Sequence, residues 1–166
     1  MYVTEADFVE DFFILKEFQN IDTANAGKIT ICYNSRFHAK FRSVCGKHRK
    51  FPSDFNDVFI ETVLIKSINC EGDISNAKTV AITDIDSDSK FKIYKVKKFW
   101  STDLRRNDGI RIDYIFSKET GRIFLLDLRL KNIRTEENHD VIYLRSLMAK
   151  IKAGEYRLLS ENSSAE

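Results

Sequence analysis

The sequence predicts an α+β fold: an antiparallel meander sheet with an N-terminal helical hairpin and a C-terminal helix, preceded by one extra helix. Two observations lead there. After one short β-branched strand, apolar residues recur at helical spacing as far as about Ile68, then alternate singly from Lys78 onward, and that change of period separates helices from strands. The 166 residues, 43% apolar and 31% charged with one proline and six glycines, have globular composition and suffice for one core with appendages.

Thr4 and Asp7 resemble an N-terminal cap, and Phe8, Phe12, Leu15 and Phe18 follow at helical spacing, so residues from about Glu5 to Gln19 read as a helix. Asn25-Ala26-Gly27 breaks it, and Lys28 to Tyr33 reads as a strand. Asn34 or Ser35 then caps a helix whose buried stripe is Phe37, Phe41, Val44 and Cys45, with Arg36, Lys40, Arg42 and Lys47 mostly off it. Pro52-Ser53 opens a third helix running to about Ile68, which completes an αα-hairpin.

Strands are expected at Lys78 to Thr83, Lys90 to Phe99, Ile110 to Lys118 and Arg122 to Lys131, with turns at Asp86 to Ser89 and Glu119 to Gly121. In the last strand Phe124, Leu126, Leu128 and Leu130 should face one side and Leu125, Asp127, Arg129 and Lys131 the other. A helix from about His139 to Ala153 buries Val141, Leu144, Met148 and Ile151. The expected organisation is an acidic helical extension over residues 1–27, a domain over 28–155 and a polar tail over 156–166, disordered from Ser160.

The net charge of +2 hides an uneven distribution. Met1 to Asp22 holds six acids and one base, a net −5, while Lys90 to Arg134 holds thirteen bases and five acids, a net +8. A basic centre of this kind suits a polyanionic partner. Cys32, Cys45 and Cys70 are odd in number and lack metal-ligand spacing, which points to neither a disulfide framework nor a zinc site but to a reducing interior. No apolar run reaches the roughly 18 residues of a membrane span, and the acidic start lacks the basic region of a signal peptide. The expectation is a cytoplasmic, soluble protein with no membrane partner and no cofactor.

From Lys28 onward the order strand, helix pair, four-strand meander and helix resembles that of RelE/ParE-superfamily toxins. The likeness rests on Ile93-Tyr94-Lys95-Val96-Lys97-Lys98-Phe99, on Gly109-Ile110-Arg111-Ile112-Asp113-Tyr114 and on Leu128-Arg129-Leu130-Lys131. These are similar to the family's basic Y-K-[IV]-[KR] strand, its G-[YIL]-R-[LIV]-x-Y strand and its third strand closed by Lys or Arg. The Phe37 to Phe59 stretch, with Phe-Pro-Ser between its helices, resembles the family's helical hairpin. The likeness covers about three quarters of the chain but not its first 27 residues.

The residues by themselves describe a cationic patch. Lys95 and Lys97 share a strand face, and Arg111 joins them from the neighbouring strand. Crowded cations disfavour one another's charge, so a lysine among them is expected to move toward the range of a base. Cleavage of RNA without a metal needs such a base for the ribose 2′-OH, cations for the phosphorane and a donor for the leaving 5′-oxygen. The bland reading is that exposed strands carry lysines for solubility and against edge pairing.

The resemblance implies a type II toxin that cuts messenger RNA in the ribosome, with a cognate antitoxin protein as partner. It implies Lys95 or Lys97 as base, Arg111 as phosphate clamp, Lys131 or Arg134 as a further cation and Tyr143 as a stacking aromatic or proton donor. Arg36, Lys40, Arg42, Lys98 and Arg129 are then expected to hold RNA. Asp113 departs from the family pattern, since it shares the face of Arg111. It is expected to orient Arg111, to act as a base or to cancel part of the positive field. The alternative function is a ParE-like gyrase inhibitor or a catalytically silent regulator of the same fold. The acidic first helix either packs its aromatic face on the domain or occupies the basic groove in cis.

Overall fold

The computed structural model describes residues 9–19, 28–56, 60, 79–82, 85–99, 110–130 and 140–160, with backbone alone at 19, 79–81, 97–99 and 130. Residues 10–19 correct the first expectation: Glu10–Gln19 is a strand, β1, and not a helix. Its partner β2 is Lys28–Tyr33, as expected, and the two run antiparallel with a bulge at Leu15. That extra residue explains the misleading spacing. Phe12 belongs to the core on one face of the sheet, while Phe13, Leu15 and Phe18 pack on the other. Two strand faces and a bulge therefore imitate a helical repeat.

Asn34 caps α1, Ser35–Lys47, through a 3.0 Å bond from the Phe37 N–H to its side-chain oxygen. His48 follows as the C-cap residue. The short α2, Phe51–Asp54, opens on Pro52, which suits a first helical turn. The expected continuation to Ile68 falls, from residue 61 on, outside the described residues.

The meander is present as β3 (Thr79–Ala81), β4 (Phe91–Phe99), β5 (Ile110–Ser117) and β6 (Arg122–Leu130), each antiparallel to the next. The sheet as a whole is larger and mixed. Helix α3, Val141–Ala153, ends at Gly154 in the left-handed region and leads into β7, Tyr156–Ser160. The order is β3-β4-β5-β6-β2-β1-β7, with β2 parallel to β6 and β7 parallel to β1. Residues 10–19 and 156–160, expected in an extension and a tail, are thus sheet strands.

Both faces of this sheet are covered. Phe37, Val44, Phe51 and Phe55 of the hairpin pack on Ile31, Tyr114, Ile123 and Leu125. On the other face Leu144, Leu147, Met148 and Ile151 of α3 meet Phe12, Ile93, Ile115, Phe124 and Leu126. The single apolar face expected for β6 is therefore corrected. Leu126 is an extra residue in the pairing of β5 with β6, so Leu126 and Asp127 turn to the α3 side while Leu125 and Leu128 join the hairpin core.

The acids of β1 have local partners. Asp11 binds Arg157 of β7 through two bonds of 2.7 and 3.0 Å, Glu17 pairs with Lys28 at 3.1 Å, and Glu10 lies 3.9 Å from Lys150. Over residues 10–19 the acidic segment is thus bound to its neighbours in the sheet and to α3, and is not laid into a basic groove in cis.

Phe12 makes edge-on contacts with Phe124 and Tyr156 at 4.9 and 5.9 Å and is fully buried. Phe12→Ala is expected to lower unfolding free energy by about 3–5 kcal/mol, measured by urea denaturation. A loss under about 1 kcal/mol would instead fit a loosely attached surface helix.

Candidate functional site

Antiparallel pairing sets Lys95 opposite Asp113, Asp113 opposite Asp127, and Arg111 opposite Arg129. Opposed residues share a sheet face. These five side chains therefore continue, beyond the apolar rungs of Ile93, Ile115 and Phe124, the face on which α3 packs.

Two aspartates directly opposite each other repel, and both are fully buried. Each has its own cations. Arg129, only 4% exposed, donates to Asp113 Oδ1 at 2.7 Å. Asp127 draws on α1: Lys40 Nζ lies 2.7 Å from Oδ1 and Arg36 Nη2 lies 3.3 Å from Oδ2. Arg36 and Lys40 are one helical turn apart and so reach the same point. The helix arrives there because β2 ends at Tyr33, level with Leu125, whereas β6 continues to Leu130; α1 fills the place beside the last rungs of β6.

Tyr143, on the first turn of α3, fixes the arrangement. Its hydroxyl donates to the Leu126 carbonyl at 2.9 Å and accepts from Asn34 Nδ2 at 2.6 Å. One tyrosine so joins the bulge of β6, the cap of α1 and the start of α3. Burial pushes its phenol well above the ordinary value, with the Asn34 bond and the Arg36 charge opposing. The Arg36 guanidinium lies over its ring, 3.8 Å from the centroid. Asp140 caps α3 by accepting the Tyr143 N–H at 3.1 Å and pairs with Arg36 Nη1 at 3.5 Å.

The expected site residues divide accordingly. Lys95 and Arg111, both half-buried, share the face as foreseen, and Arg36 and Lys40 join them from α1. Arg129 is corrected: it is buried against Asp113 and closed to RNA. Arg42 is exposed but lies two residues beyond Lys40, about 200° around the helix, away from the cluster. Tyr143, expected as a stacking aromatic or a proton donor, has its hydroxyl donating to the Leu126 carbonyl and its ring covered on one side by Arg36, so it is a structural link here. Lys97 and Lys98 lie on β4 with side chains outside the described residues. The pairing slips between Val96 and Phe99, so simple alternation from Lys95 does not carry past that point. Lys131 and Arg134 lie outside the described residues.

Asp127 and Asp140 were not singled out from sequence, and Asn34 was read only as a helix cap. A signal for the first existed: Arg111-x-Asp113 on one strand and Asp127-x-Arg129 on the next form a diagonal charge pattern when antiparallel. The cluster's chemical capacity is anion binding. Among the described residues, Arg36, Lys40, Lys95, Arg111 and Arg129 outnumber Asp113, Asp127 and Asp140 here, and Arg36 and Lys40 keep 34% and 29% of their side chains open to solvent. Among the described residues, no three His, Cys, Asp or Glu side chains are grouped to hold a metal ion.

Arg129→Met takes a buried cation from the Asp113 carboxylate and should cost about 3–5 kcal/mol in urea unfolding, with most of it recovered by Asp113→Leu/Arg129→Met. Arg36→Gln, at a partly hydrated site, should cost about 1 kcal/mol or less. The pH dependence has a defined sign. The Tyr143 N–H, helped by Arg36, holds the Asp140 carboxyl below its ordinary 3.8. The folded protein therefore binds fewer protons than the unfolded chain there, and this stability is present above about pH 4 and lost as pH falls further. Urea midpoints between pH 2 and 5 should fall less steeply in Asp140→Asn. Comparison of the chain with family models, curated proteins and solved structures finds no match.

Proposed function

We propose that the protein is a toxin-type endoribonuclease, similar to RelE, that cuts messenger RNA on the ribosome by attack of a ribose 2′-OH on the adjacent phosphate. The observation that supports this reading is the shared face of Lys95 and Arg111. Asp113 stands opposite Lys95 and two residues from Arg111, so the two cations are diagonal neighbours roughly 7–8 Å apart at the backbone. Long side chains from such positions converge on one phosphate. Further support is that, among the described residues of this cluster, the cations Arg36, Lys40, Lys95, Arg111 and Arg129 stand with Asp113, Asp127 and Asp140.

Lys95, in its neutral form, takes the 2′-OH proton as the 2′-oxygen bonds to phosphorus. Arg111 neutralises the phosphorane oxygens. The bond from phosphorus to the 5′-oxygen breaks, the leaving oxygen takes a proton from a second lysine of the basic segment, Lys97 being nearest in sequence, and a 2′,3′-cyclic phosphate remains. The reading includes an antitoxin protein as partner and a cytoplasmic place of action. Among the described residues no helix is long and apolar enough to cross a membrane.

On purified ribosomes programmed with message, Lys95→Ala should slow cleavage by about 10²–10⁴-fold and Arg111→Ala by about 10²–10³-fold, with a cooperative urea transition kept in both. Cleavage that survives both changes together removes the assignment. A wild-type protein that leaves message intact but blocks gyrase supercoiling would establish the ParE-like function instead.

A further inference from the structure

We infer that Arg36, held over the Tyr143 ring, is a stacking platform for one unpaired nucleobase of the bound RNA; this rests on the RNA-binding reading above. A guanidinium binds phosphate through N–H groups on its edge and through its charge. Here Nη2 is committed to Asp127 and Nη1 to Asp140, so two carboxylates claim donors of the edge and offset the charge. Beside the N–H groups these carboxylates do not take, the guanidinium keeps its flat surface, and 34% of the side chain stays open to solvent. Guanidinium planes are among the surfaces on which unstacked bases of single-stranded RNA settle.

The plane is also held in place. The Tyr143 ring backs it at 3.8 Å, and that ring is itself tied down by Asn34 and by the Leu126 carbonyl. Two ion pairs fix rotation within the plane. A base that stacks on it meets a surface already ordered, so little side-chain entropy is lost on binding. Ile142, the residue before Tyr143, is 83% exposed, and it is the one large hydrophobic side chain so exposed among the described residues. An exposed apolar side chain on the same helical turn as Tyr143 suits contact with a base better than contact with a phosphate. Arg36 thereby passes from phosphate contact to base contact, and an exposed base is a property of single strands rather than duplexes.

The test uses the full chain and a 2′-O-methyl single-stranded oligonucleotide, which cannot be cut, carrying one 2-aminopurine. Wild type should quench the 2-aminopurine on binding. Arg36→Lys, which keeps the charge and removes the plane, should abolish the quenching and weaken binding about 5-fold or more, while the salt dependence of affinity stays the same. Equal quenching by Arg36→Lys overturns the platform and leaves RNA binding standing. A wild type that binds no oligonucleotide overturns the RNA-binding reading and the platform with it, whereas quenching without message cleavage on ribosomes supports the platform and removes only the nuclease. An unmodified protein gives a second measurement that needs no variant to fold: an oligonucleotide with 4-thiouridine should photo-cross-link to the peptides holding Arg36 or Ile142–Tyr143, and cross-links found only elsewhere overturn the proposal.

Discussion

Two carboxylates buried opposite each other, Asp113 and Asp127, are the constraint around which this end of the molecule is built. Taking each out of water costs several kcal/mol, and their mutual repulsion adds to it. The chain offsets this with cations from two different sources. Arg129 comes from the same strand pair, whereas Arg36 and Lys40 come from a helix more than 80 residues earlier in the sequence. Removal of the aspartates would leave α1 with its aromatic contacts but without the polar anchor that sets where its first turn lies against β6.

Much of this fold was legible in the sequence. The strand after Gly27, the Asn34 cap, the meander and the last helix are governed by local alternation, capping and turn chemistry, and they stand close to where those rules place them. The misreadings of β1 and β6 have one cause. At Leu15 and at Leu126 one extra residue interrupts the alternation, and nothing in the residues themselves marks a bulge. In β1 it made Phe12, Leu15 and Phe18 resemble a helical stripe. In β6 it split a row of leucines between two cores. The parallel pairings of β2 with β6 and β7 with β1 were beyond reach for a different reason, since they are settled by contacts far apart along the chain.

The site was legible in the same uneven way. Lys95 and Arg111 were found because strand alternation needs only near neighbours, and the face they share follows from the register of one hairpin-like pair. Arg129 was misjudged because charge was read as exposure. An arginine two residues from an aspartate, facing the reverse arrangement on the next strand, is as well suited to an internal ion pair as to RNA, and burial decides for the former. Tyr143 was misjudged because a tyrosine near cations invites a chemical role, while its hydroxyl is used to fasten three elements together.

The division between buried and half-buried cations gives the cluster its physical logic. A face made only of hydrated lysines would bind phosphate through charge alone, with each side chain losing its freedom at the moment of binding. Here Arg129, Arg36 and Lys40 are ordered in advance by aspartates that also lower the total field, so the face gives up some long-range attraction in exchange for fixed geometry. For a partner as highly charged as RNA, attraction is plentiful and orientation is scarce. Asp113, which departs from the pattern of the resemblance, is therefore compatible with the proposed RNA recognition, because what it and Asp127 subtract in charge they return as the rigid setting of the cations around them.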